Sequence, residues 1–402
     1  MGLSAEQALR LASRRRKVAG LYKIGYGPTA IARRLHATPR AIRNDFTQLG
    51  FTNWSEISDA ELDVRVTHYL DIGHRGLGRR LIEARLFADG HLVQRRRIMD
   101  ALRRLGRHRA PPRRLVRRSF YASVGSWFAV HMDQNEKLAF GGIKLLAAID
   151  GKSRCPVHWK VVTSLRALEH SRFYNELVRR WGRVPAHVVV DGGPWRGVRR
   201  AVELYWDDME PAHVETAEGV LVVNRFQRTS SVHNIPVERS WRDVNDVLNK
   251  YYLTWKDLES RGLLVGGRNA DPVDLFCLTQ VYVPLIKRDV DAHFEAMAVR
   301  RKETCTRDPS FPAGTWRPLE LLLQDDDYSL SVDADQVDAM DEYITAYHGA
   351  QDVEPASAWE RDPLCTAAER AERDELVASI DPQTPVEEYI AMREATRHIL
   401  EG

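Results

Sequence analysis

Apolar and polar positions change rhythm three times along this chain. Over residues 1–52 the spacing is helical, and "EQALRLASRRRKVAGLYKIG", "GPTAIARRL" and "PRAIRNDFTQLGF" read as three short helices. Thr38 before Pro39 supplies a side-chain cap and then a proline at the first helical position, and Gly50 closes that helix. Two short helices joined by the turn "HAT" describe a helix-turn-helix. Ala41, Ile42 and Phe46 are expected to pack inward, leaving Arg40, Arg43, Asn44 and Gln48 to face a DNA groove. A small protein-docking module is the competing reading.

A second helical unit is expected over 59–118, ending in "HLVQRRRIMDALRRLGRHRAPPRRLVRRSF". Val93, Ile98, Leu102 and Leu105 lie near one face, while Arg95, Arg96, Arg97, Arg103 and Arg104 crowd the remainder. That distribution suits a grip on the phosphate backbone, although basic helices are also often plain solvated surface.

From Ser126 the period shortens. "SWFAVHMDQNE", "IKLLAAIDGKSR" and "PVHWKVVTS" predict a three-stranded meander, and "LRALEHSRFYNELVRRWG" a helix stopping at Gly182. "AHVVVDGG" is a short apolar strand of the kind buried on both faces. "WRGVRRAVELYWDD" predicts a helix and "GVLVVNRF" one more strand. In the helix after Pro236, Val237, Trp241, Val244, Leu248 and Tyr251 form one apolar stripe. This order implies an α/β domain with a mixed five-stranded sheet over 121–262. The period returns to helical across 263–322, and 323–402 reads as an acidic tail with one or two weak helices.

Charge sharpens the picture. The first 120 residues carry 26 Lys and Arg against 10 Asp and Glu, whereas the segment from 321 carries 5 against 21. A basic head suits a phosphate-rich partner, because each neutralised phosphate releases counterions. The acidic end could repel nucleic acid, fold back on the head or keep the chain soluble. No apolar run is long enough for a membrane span, and the first 17 residues lack the apolar core of a secretory signal. An intracellular location is therefore expected, nuclear if the source is eukaryotic. Cys155, Cys277, Cys305 and Cys365 are scattered and suggest neither a zinc cage nor a disulfide framework.

Three acids occupy distinctive places: Asp133 in the first strand, Asp191 at the end of the buried strand, and Glu238 in the first turn of the long helix. Taken alone, Glu238 has an ordinary explanation, since acids are favoured at a helix N-terminus. Together, the three could hold Mg²⁺, a hard cation that prefers carboxylate oxygens and keeps positions open for phosphate. Two such ions stabilise both the entering and the leaving oxygen of a displacement at phosphorus. Without a cation, clustered acids are expected to be partly protonated. Asp150 reads as a turn residue and His131 as a packed histidine. Asp207, Asp208 and the run Asp325 to Asp327 read as solvated.

The segments "VHMDQNEKLAFGGIKLLAAIDGKSR", "VVVDGG" and "SSVHNIPVERSWRDV" resemble the three acidic blocks of the DDE integrase/transposase superfamily, closest to the integrase core domain of eukaryotic mobile-element proteins. The match runs through His131, Asp133, Lys137, Leu138, Ile149, Asp150, Gly151, Ser153, Arg154, Asp191, Gly193, Ser230 or Ser231, Asn234, Glu238, Arg239 and Trp241. The resemblance implies a ribonuclease H-like core, preceded by all-α helix-turn-helix modules and followed by a helical extension and the acidic tail. It implies that Asp133, Asp191 and Glu238 hold two Mg²⁺ or Mn²⁺ ions and are catalytic. Lys137, Asn234 and Arg239 would contact substrate or line the site. The implied partners are element ends and target DNA, with a homo-multimer to join them. The chain departs from the family pattern at Gln134, at Pro194 and Trp195, and around "AMAVRRKETC". A DNA-binding protein derived from such an element, its core kept as a scaffold, is the alternative; a ribonuclease acting on RNA–DNA hybrids is a third reading.

Overall fold

The structure is a computed structural model that describes residues 5–51, 54–72, 78–106, 123–206, 211–216, 219–230, 234–303, 315–324, 327–351 and 380–401, with Phe311, Glu375 and Val377. The arginine-rich stretch 107–122, Asp207, Asp208, Ser231, Asp325 and Asp326 lie outside the described residues. The chain divides into two compact units, one of residues 1–120 with 295–324 and one of residues 121–294 with 325–402.

The first unit opens with α1 (Ala5–Lys23), α2 (Pro28–Arg34) and α3 (Pro39–Leu49). The Thr38 hydroxyl accepts from the Ala41 amide at 3.2 Å, and Gly50 closes α3 in the left-handed region at φ 68°. Ile42 and Phe46 are fully buried and Ala41 half-buried, so the expected inward face is present. The same face also buries Asp45, which pairs with Arg14 at 2.7 Å and Arg15 at 3.3 Å. Next come α4 (Asp59–Ile72), α5 (Arg79–Ala88) and α6 (Arg95–Arg104), whose core includes Leu62, Val66, Ile82, Ile98 and Leu102. Ala296 and Val299 complete that core, so residues far along the chain belong to this unit. Buried Glu320 holds Arg34 at 2.5 Å, and buried Arg317 donates to the Gly25 carbonyl at 2.7 Å. The described helices of residues 5–49 and of residues 59–104 fall in the same compact unit.

The second unit contains the sheet. β1 (Ala129–Asn135), β2 (Lys144–Asp150) and β3 (Pro156–Val162) form the antiparallel meander. Asp150 is fully buried and caps its turn, accepting from the Trp127, Lys152 and Ser153 amides and the Ser153 hydroxyl. α7 (Ala167–Trp181) ends at Gly182, φ 62°, and β4 (Arg183–Val184) follows. β5 (His187–Val190) then pairs parallel to β1, with all four residues buried. α8 (Arg196–Tyr205) lies so close to α7 that a Cβ on Gly197 would meet the Ala167 carbonyl oxygen at 1.9 Å.

The segment expected to be a single strand splits in two. β6 (Ala212–Thr216) and β7 (Gly219–Val223) form a separate hairpin, and only β8 (Phe226–Arg228) joins the main sheet, parallel to β5. The order is β3-β2-β1-β5-β8, a mixed five-stranded sheet. The upstream residues 212–216 offer β7 an antiparallel partner, which the strand pattern of 219–226 alone could not reveal. α9 (Ile235–Ser260) and α10 (Pro272–Val299) follow, α10 running into the first unit from Glu295. β9 (Lys302–Glu303), β10 (Thr315–Trp316) and α11 (Pro318–Gln324) belong to the first unit.

The acidic segment is more than a tail. β11 (Leu330–Ser331) pairs with β4, and α12 (Ala334–Gln351) packs on α7 through Val337 and Ile344, both buried. Arg179 of α7 pairs with Asp338 at 2.5 Å and Asp341 at 2.6 Å. α13 (Pro385–Glu401) docks on α10: Arg393 pairs with fully buried Asp274 at 2.5 Å, and Tyr389 donates to the Leu263 carbonyl at 3.0 Å. Some of the excess acid is therefore spent on arginines of its own unit. No helix among the described residues is long and apolar enough to cross a membrane.

Candidate active site

The parallel pairing of β1 with β5 sets Met132 opposite Val190. The next residue on each chain is Asp133 and Asp191, so two carboxylates leave neighbouring strands that lie about 4.8 Å apart. Glu238 arrives by a different route. Asn234, fully buried at the start of α9, donates its amide to the Met132 carbonyl at 2.9 Å, and its carbonyl oxygen stands 2.8 Å from His131 Nδ1. One turn on, the Glu238 amide donates to the Asn234 carbonyl at 3.2 Å. The Trp241 indole then reaches back to Asp133 Oδ2 at 2.7 Å. The first two turns of α9 are thereby pinned to the acid-bearing end of β1.

The acids act on one another electrostatically. Burial pushes the Asp133 carboxyl up to about 7, with the charges of Glu238 and Asp191 adding to the rise and the Trp241 and Gln134 N–H groups opposing it. Glu238 is also raised, by burial and by Asp191. Among the described residues none of the three acids forms an ion pair. His131 is fully buried and pushed down to about 3, so it is neutral and serves as the partner of Asn234.

Both aspartates are also held by indoles. Asp191 Oδ1 accepts from the Trp195 indole at 2.6 Å and from the Gly193 amide at 3.0 Å. Trp195 is fully buried and stacked on His170, ring centres 4.7 Å apart. Among the described residues no three His, Cys, Asp or Glu side chains stand together as a ready-made metal cage. The donor chemistry still fits a hard divalent cation: three carboxylates share one field without a compensating charge, and the hydrogen bonds from Gly193 and Trp195 to Asp191 both land on Oδ1, leaving Oδ2.

The other residues singled out by the sequence are scattered. Arg40, Arg43, Asn44 and Gln48 are all exposed on α3, where the Arg43 Nε donates to the Pro39 carbonyl at 3.2 Å. Arg95 and Arg96 are exposed on α6, but Arg97 turns back to Asp59 at 2.6 Å, just as Arg104 turns to Asp63 at 2.7 Å. Lys137 places its ammonium 4.3 Å from the centre of the Tyr252 ring. Arg239 is exposed on α9, next to Glu238. The bond from Trp195 to Asp191 escaped the sequence reading, which marked Trp195 only as a departure. No local spacing announces an indole aimed at an acid four residues earlier.

A mixed sheet of this order, with one acid in β1, one just past the parallel strand β5 and one at a helix start, defines a ribonuclease H-like domain. Residues 125–317 match the sequence profile of the integrase core domain, and that segment is an integrase core domain of the DDE superfamily. No curated protein matches the chain.

Proposed function

We propose that the chain is a DDE-type integrase or transposase that cleaves DNA ends and transfers the strand to target DNA, using two Mg²⁺ or Mn²⁺ ions. The observation that supports this reading is that the charges of Asp191 and Glu238 both act on the Asp133 carboxyl, while none of the three acids forms an ion pair among the described residues. When bound by these acids, the ions would activate a water or a DNA 3′-hydroxyl and steady the leaving oxygen. Asn234 and Trp241 hold Glu238 and Asp133 in register. The exposed face of α3 would read element ends, with Arg95 and Arg96 on the backbone. Action on two ends calls for a homo-multimer.

The test is nicking of plasmid DNA with Mn²⁺. Activity is expected from the wild-type chain and a loss of at least about a hundredfold in Asp133→Asn, Asp191→Asn and Glu238→Gln, since each removes an electrostatic group from the reacting centre. Nicking that persists in all three variants excludes the mechanism. One observation favours a second reading, a DNA-binding protein with an inert core: the indoles of Trp195 and Trp241 occupy oxygens that a cation would use. On that reading the wild-type chain binds Mn²⁺ no better than Asp133→Asn.

A further inference from the structure

Trp195 lies where the chain departs from the family pattern, and it is fully buried at the start of α8. Its ring stacks on His170 of α7, with centres 4.7 Å apart and planes 28° apart. His170 Nδ1 donates to the Pro194 carbonyl at 3.1 Å, so the turn before α8 is fixed to α7 by two contacts. A buried indole N–H needs an acceptor, and here it is Asp191 Oδ1 at 2.6 Å.

That bond makes the two oxygens of Asp191 unequal. Each carboxylate oxygen offers about two lone-pair sites, and Oδ1 already accepts from both the Trp195 indole and the Gly193 amide. Oδ2 accepts from no group among the described residues. On Asp133 the donors are divided instead, the Gln134 amide on Oδ1 at 2.9 Å and the Trp241 indole on Oδ2 at 2.7 Å. Asp191 is thus set to offer a cation one oxygen rather than two. The distinction separates hard divalent ions. Ca²⁺ takes roughly six to eight oxygens and can use both of one carboxylate, whereas Mg²⁺ keeps several waters and takes few protein oxygens.

We propose that Trp195 is a specificity-determining residue: by holding Oδ1, it makes Asp191 a one-oxygen ligand and favours Mg²⁺ over Ca²⁺. The role rests on the reading of the three acids as cation ligands. Full-length protein is titrated calorimetrically with MgCl₂ and, separately, with CaCl₂. Trp195→Phe keeps a ring against His170 and removes the N–H, which frees Oδ1 for a cation. The ratio of Ca²⁺ to Mg²⁺ affinity is expected to rise about tenfold, the scale on which groups supporting a metal ligand act. A merely loosened turn would weaken both ions alike and leave the ratio unmoved. If Trp195→Phe does not fold, Gly193→Ala tests the same bond by the same ratio. Its Cβ would stand 2.9 Å from Asp191 Oδ1 and 3.0 Å from Trp195 Nε1, and so would push the two apart. Mg²⁺ binding with an unchanged ratio overturns this proposal alone. Heats of dilution for both ions, in the wild-type chain and the variant, overturn it together with the metal reading.

Discussion

Asp133 carries the clearest physical signature in the molecule. Its carboxyl is 4% exposed and sits near two other acids, and the result is a shift from 3.8 to about 7. In the unfolded chain the group ionises near pH 4. Between about pH 4 and 7 the folded chain therefore holds a proton that the unfolded chain has released. The group's contribution to stability is fully present below pH 4 and is lost as the pH rises to 7. Asp133→Asn should consequently make the cation-free protein more stable at pH 8, by about 1–4 kcal/mol, and leave it nearly unchanged at pH 4. Urea unfolding in EDTA at the two pH values measures this, and an equal effect at both would remove the buried-acid account. The three acids themselves were legible, because they sit in recognisable blocks. The environment that shifts Asp133 was not, since Trp241 lies 108 positions away and only the fold joins the two.

At the scale of elements, the start of α9 is anchored by one side chain. Asn234 bridges the helix start to the Met132 carbonyl and to His131, all at a fully buried position. Asn234→Ala would leave those two groups without their partner, at a cost of about 1–3 kcal/mol each, and would release the turn that carries Glu238. Denaturant unfolding should show a loss of about 2–4 kcal/mol, against near-neutrality if the bridge does not form. The apolar stripe of α9 from Val237 to Tyr251 was readable from spacing, and all five of its positions are buried. The β6–β7 hairpin was not readable, because pairing is decided by a neighbouring segment rather than by the strand's own alternation.

At the scale of the whole molecule, charge is separated along the sequence, yet part of the acidic segment is paired within its own unit. A composition reading averages the acidic segment and hides its few apolar anchors. Val337, Ile344, Tyr389 and Met392 are nevertheless all buried, and Asp338 and Asp341 meet Arg179 of α7. The segment is thus a structural part of the second unit. A chain ending at Gln324 should expose the apolar faces of α7 and α10, melt at lower temperature and bind a hydrophobic dye; an unchanged melting temperature would show that α12 and α13 contribute nothing to the fold.

The central claim is that Asp133, Asp191 and Glu238 together hold divalent cations, and calorimetric titration of the full-length protein with Mn²⁺ addresses it most directly. Saturable binding is predicted in the wild-type chain, with release of about half a proton per site at pH 7, as Asp133 gives up the proton it holds there. Asp133→Asn and Glu238→Gln should each weaken binding at least about tenfold. Heats indistinguishable from dilution in the wild-type chain, or binding that both variants retain, would contradict it.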